Sequence, residues 1–175
     1  MKHNIVLTLT GHDRIGIVEE VTHIFVKFGG NVENSRMARL GGEFAMLALV
    51  TVDETNLSTL EADLQKLRDE GFLITLQQTV DEPKKFSGWL PYVVEVLGAD
   101  HEGIIHEIAH SLAKQGINIE NMETTTAPAP MSGTPLFTMK ATILVPPQLP
   151  FHDWSEELEE IGDTLNVNVK VEIAK

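Results

Sequence analysis

Residues Leu7–Asn34 read "LTLTGHDRIGIVEEVTHIFVKFGGNVEN", and residues Val94–Asn121 read "VEVLGADHEGIIHEIAHSLAKQGINIEN". Shifted by 87 positions, the first stretch meets the second. Gly11 falls on Gly98, Asp13 on Asp100, Gly16 on Gly103, Ile17 on Ile104 and Glu20 on Glu107; Lys27, Gly29, Asn31 and Asn34 fall on Lys114, Gly116, Asn118 and Asn121. The correspondence resumes as "FAMLALVTV" (Phe44–Val52) over "FTMKATILV" (Phe137–Val145), now displaced by 93, so six extra residues sit in the second copy, within "TAPAPMSGTP". Two copies imply a duplicated domain; a solenoid needs at least three repeats.

Each copy reads as β-α-β-β-α-β. In the first, "NIVLTLT" alternates as a strand. "GIVEEVTHIFVKFG" then sets Ile17, Val21, Ile24 and Phe28 on one helical face and stops at Gly29. "NVENSRMARL" and "EFAMLALVTV", joined by Gly41 and Gly42, predict a hairpin. "LSTLEADLQKLRDEG" spaces Leu57, Leu60, Leu64 and Leu67 as a helix, and "FLITLQQTV" is the last strand. The second copy repeats the order, with helices expected near 103–115 and 152–164. Two β-α-β units sharing one antiparallel sheet predict an α+β fold: two ferredoxin-like βαββαβ sandwiches in tandem, helices on one face of each sheet. The breakers Pro83, Gly88 and Pro91 place the joint near residue 86, giving domains 1–85 and 86–175.

Composition narrows the function. A hydrophobic content of 42% is too high for a disordered chain, and without cysteine neither a disulfide nor a thiolate metal site is possible. The start of the chain lacks a signal-peptide core, and no window nears the ~18 apolar residues of a membrane span, so a cytoplasmic protein is expected. A net charge of −13 with scattered basic residues disfavours direct nucleic-acid binding. RNA-recognition domains share this topology, but they need base-stacking aromatics on the central strands, and "FAMLALVTV" has one, near its start.

The loop "GHDRIGI" joins the first strand to its helix. Gly11 allows a tight turn and Gly16 lets another group approach the backbone. The helix start offers free N–H groups that suit a carboxylate, Asp13 can accept from an ammonium group, and Asn31 adds a donor and an acceptor. Such a site fits a free amino acid. The alternative makes Asp13 and Asp100 helix N-caps and Asn31 and Asn118 turn residues.

"GHDRIGIVEEVTHIFVKFGGNVE" resembles the signature of the ACT domain, the small regulatory module of amino-acid metabolism, and "GADHEGIIHEIAHSLAKQGINIE" is a looser second copy, with His101 where Arg14 stood. Two such domains in a chain of this length are similar to the glycine cleavage system transcriptional repressor family. The resemblance implies a non-enzymatic sensor that binds a small amino acid, glycine or serine, where two ACT domains meet. It implies action through a regulatory protein partner, homodimer formation and no cofactor. The family's binding positions map to Gly11, His12, Asp13, Gly16, Ile17 and Asn31 in the first copy, and to Asp100, His101, Gly103, Ile104 and Asn118 in the second. Ala99 replaces His12 and Glu102 replaces Ile15; the extra carboxylate would weaken the hold on an anion, which favours the first loop.

"HEIAH", residues His106–His110, matches the zinc-peptidase pattern H-E-x-x-H. With Ile104, Ile105, Ile108 and Leu112 as the core stripe of its helix, both histidines turn away from the core, where they could share a metal ion. Catalytic zinc needs a third protein ligand, for which His152, Glu120 and Glu123 are the candidates. A hydrolase and a purely structural interaction module are therefore the contrasting readings. Met37, Met46, Met122 and Met139 read as strand core, "EELEEIGD" as a solvated acidic face and "TAPAPMSGTP" as an irregular loop. Phe86 and Trp89 are candidates for stapling the two domains together.

Overall fold

The computed structural model describes residues 2–79, 85–130 and 133–174. The chain divides into two compact units, Met1–Glu82 and Pro83–Lys175. That division falls just before the joint expected at residue 86, and Pro83 itself lies outside the described residues.

The first unit runs β1 (Lys2–His12), α1 (Ile17–Lys27), β2 (Asn31–Leu40), β3 (Glu43–Asp53), α2 (Leu57–Asp69) and β4 (Leu73–Thr79). The second repeats it as β5 (Leu90–Ala99), α3 (Ile104–Lys114), β6 (Asn118–Pro128), β7 (Pro135–Val145), α4 (Phe151–Leu165) and β8 (Val167–Ile173). Each forms one antiparallel four-stranded sheet, ordered β2-β3-β1-β4 and β6-β7-β5-β8. The expected pair of βαββαβ sandwiches is what forms.

Strand alternation decides which face is covered. Ile5, Leu7 and Leu9 on β1 and Phe44, Met46, Ala48, Val50 and Val52 on β3 point to the helices and are buried. Against them pack Ile17, Val21, Ile24 and Phe25 of α1 and Leu60, Leu64 and Leu67 of α2. Phe25 was not in the expected stripe; it is fully buried, while Phe28, one residue past the helix, is only half-buried. The helix ends at Lys27, so Phe28 no longer follows the helical spacing that placed it on the core face. The expected Ile105 is likewise displaced: it is 42% exposed, and Ser111 is buried on that side of α3. Met46 and Met139 are core, Met122 packs at its edge and Met37 is exposed.

Both β2 and β6 carry a register shift at the same place, between Val32 and Asn34 and between Ile119 and Asn121. The inserted loop is shorter than expected, because strand pairing runs into it as far as Pro128 opposite Pro135. The acidic run of α4 is not simply solvated: Glu157 accepts from Gln115 at 2.8 Å and Ser111 at 3.2 Å, joining α4 to α3. Phe86 and Trp89 meet edge to face, centroids 4.9 Å apart.

Glycine is demanded where the chain closes on itself. A Cβ on Gly98 would stand 2.6 Å from Val167 Cγ1 and 3.0 Å from Val167 Cα. Gly98→Ala is therefore expected to destabilise the second unit by about 1–3 kcal/mol, as overpacking does, read by urea unfolding followed through the fluorescence of the buried Trp154.

Candidate functional site

The antiparallel order brings three chain segments to one end of each sheet: the loop after the first strand, the hairpin tip and the start of the last strand. In the first unit His12 lies opposite Glu43 and Thr10 opposite Leu73. The loop is stitched to the hairpin by the Asp13 N–H, which donates to Gly42 O at 2.9 Å; Asp100 N–H donates to Pro135 O at 2.9 Å in the second unit.

Gly11 is a strand residue, not a turn. What requires glycine there is Phe72, whose ring would lie 2.5 Å from an added Cβ. Gly16 (φ 92°) and Gly103 (φ 96°) are the N-caps of α1 and α3 in the left-handed region, and space beside both is open. They give the chain the sharp entry that an L side chain resists and leave the first-turn N–H groups approachable. The N-cap reading of Asp13 and Asp100 does not hold, since neither helix start has a side-chain cap.

The two loops differ in their electrostatics. Around the first, the Asp13 carboxylate is held by Arg39 Nε at 3.0 Å and His12 Nδ1 lies 3.6 Å from Glu43. Arg14 donates to Glu20 at 2.6 Å and Glu70 at 2.8 Å, and its guanidinium lies over the Phe72 ring, 5.5 Å from the centroid. These carboxylates hold the Arg14 pKa above its ordinary value, the Glu20 hydrogen bond first among them. Ile15 is fully exposed, and Ile17 is in the core, so only its backbone can reach a ligand. Asn31 donates to Glu33 at 2.8 Å at the start of β2.

Around the second loop, the Asp100 carboxylate has no hydrogen bond or ion pair among the described residues. A groove of about 400 Å³ opens there, lined by Asp100, His101, Gly103, Ile104, Ile105, His106 and Phe137. Gly103 to His106 are the N-cap and first turn of α3, whose N–H groups have no intrahelical partner. The structure thus brings Asp100, His101, Gly103 and Ile104 together. Asn118, half-buried at the start of β6, is not among the groove's lining residues. Phe137 and Ile105 were missed; Phe137 was findable as the partner of Phe44 in the repeat.

His101 is a brace rather than a free contact. Its Nδ1 lies 3.0 Å from Glu102 O and its Nε2 2.7 Å from Leu165 O, the last residue of α4. Two carbonyl acceptors ask for two N–H donors, which only the imidazolium supplies. The carbonyl of Glu102, then that of Leu165, and the charge of Asp100 raise its pKa against the opposing pull of burial. Position 101 is position 14 of the first copy, so a cation ties the loop to the end of the second helix in both units.

Residues 3–77 match the ACT domain family. With the same architecture repeated in the second unit, the chain is a tandem ACT-domain protein. Over 132 residues it is 30% identical to the glycine cleavage system transcriptional repressor of Escherichia coli K12, covering 73% of this chain and 67% of that protein. The chain belongs to the glycine cleavage system transcriptional repressor family. The crystal structure of an unknown protein from Galdieria sulphuraria superposes with a TM-score of 0.89 at 31% identity over 100% of both chains. That of a candidate glycine cleavage system transcriptional repressor gives 0.70 at 22% identity, over 100% of this chain and 99% of the other, a likeness of fold. No helix among the described residues is long and apolar enough to cross a membrane.

The His101 brace has a pH signature. Its folded pKa is raised, so its stabilisation is fully present below the unfolded value of about 6.5 and is lost as pH rises through the folded one. Denaturation midpoints of the second unit, followed from pH 5 to 8, should fall across that window, and His101→Gln should remove that component of the fall.

Proposed function

We propose that this protein is a sensor of a small amino acid, glycine or serine, that regulates glycine cleavage through contact with a regulatory protein, as a homodimer and without catalysis. The observation that carries the reading is the groove beside the second loop. It has first-turn N–H groups of α3, suited to a carboxylate, beside the Asp100 carboxylate, which has no ion pair among the described residues and is suited to an ammonium group. Its volume of about 400 Å³ is ample for a small amino acid with its waters. The first loop offers the same backbone start at Gly16, but there Asp13 is already engaged by Arg39, so a ligand ammonium would have to displace an arginine. The binding residues proposed are therefore Asp100, Gly103 and Ile104, with Gly11, His12, Asp13, Gly16, Ile17 and Asn31 forming a secondary loop. A net charge of −13 favours a protein partner over DNA.

A ligand that binds only the native state raises the melting midpoint by mass action. Glycine or serine at a hundredfold excess over Kd should raise the midpoint of the second unit by about 10–20 °C, and Asp100→Asn should abolish the rise. No shift with any common amino acid would overturn the sensor and leave an interaction module.

A further inference from the structure

The regulatory reading leaves "HEIAH" unused. Helix α3 places His106 and His110 one turn apart on its exposed side, with ring centroids 6.0 Å apart and ring planes inclined by 22°. Neither imidazole has a hydrogen bond or ion pair among the described residues. Four other histidines are engaged: His3 lies 3.3 Å from Glu54, His12 3.6 Å from Glu43 and His152 3.1 Å from Glu156, while His101 is held by two carbonyls.

A hydrolytic zinc centre is not what these residues build. Among the described residues no group of three or more His, Asp or Glu side chains is placed to hold a metal. The expected third ligands lie elsewhere: His152 pairs with Glu156 on α4, and Glu120 and Glu123 sit exposed on β6. What remains is a pair of unengaged imidazoles at i and i+4.

Their spacing suits a chelate. With metal–nitrogen bonds of about 2.0–2.1 Å, two imidazoles at a tetrahedral angle have centroids about 5.2 Å apart. The observed 6.0 Å differs from that by less than an ångström, and both rings are exposed and free to adjust. Imidazole nitrogen suits zinc, nickel and copper ions, and the acidic chain lowers the cost of gathering a dication. The same positions in the first copy are Glu19 and His23, a carboxylate–imidazole pair with less preference for these ions.

We propose that His106 and His110 form a bidentate surface site for a divalent transition-metal ion of the zinc, nickel or copper class, with water completing the coordination. The site borders the amino-acid groove, which His106 also lines, but it does not depend on that reading, because its test reads the metal directly. Zn²⁺ is titrated calorimetrically into the tag-free full-length chain at pH 7.5, with the imidazole Hε1 resonances followed by NMR. One ion should bind per chain, moving the resonances of His106 and His110. His110→Ala and His106→Gln should each weaken binding by about 100-fold, the lower end of what joining two ligands on one scaffold gives. Both positions are exposed, and an unchanged circular-dichroism melt without metal confirms that the variants fold. Wild-type affinity no tighter than that of His110→Ala, or a loss of binding in His23→Ala instead, would overturn the proposal.

Discussion

Everything in this molecule hangs on the pairing of β1 with β3 and of β5 with β7, the inner strands of each sheet. Their alternation puts one row of apolar side chains under the helices, and a slip of one residue would turn that row to solvent. Because β1 runs antiparallel to both neighbours, its end meets the hairpin tip and the start of β4. The loop after the first strand is therefore assembled by sheet register, and β5 sets the second loop in the same way.

On that frame the two copies solve one problem with different chemistry. Each must tie a loop that ends at a left-handed glycine to the end of the second helix. The first copy uses Arg14, shared between Glu20 and Glu70 and laid over Phe72. The second uses His101 between two backbone carbonyls. The first arrangement keeps its charge at every physiological pH; the second exists in full only when the imidazole is protonated. The neighbouring aspartates diverge too, Asp13 being paired with Arg39 and Asp100 having no ion pair among the described residues.

The fold was legible because repetition and alternation are local, additive signals. The identities repeated over the first half of each copy, the leucines of α2 and the paired glycines all carry structural information within a few residues. Boundaries were less legible: α1 ends before Phe28, so Phe25 takes the core position that helical counting assigned to Phe28. The loops were legible as loops, but their electrostatics were not. Arg39 reaches Asp13 from across a hairpin, and Leu165 meets His101 from 64 residues away. No spacing rule reports such pairings. The one available hint was the alignment of Arg14 with His101, two residues able to hold a positive charge.

The divergence of those two residues has a genetic consequence. In a single-domain protein that assembles as a symmetric pair, every substitution appears on both sides at once. A change that improves one loop and harms the other cannot then be selected. Duplication within one gene removes that bond. Each of the two loops mutates alone, yet both are always made in equal number and on the same polypeptide. Arg14 and His101 show what that freedom permits: equivalent positions of the repeat that tie their loops with a different cation in each copy.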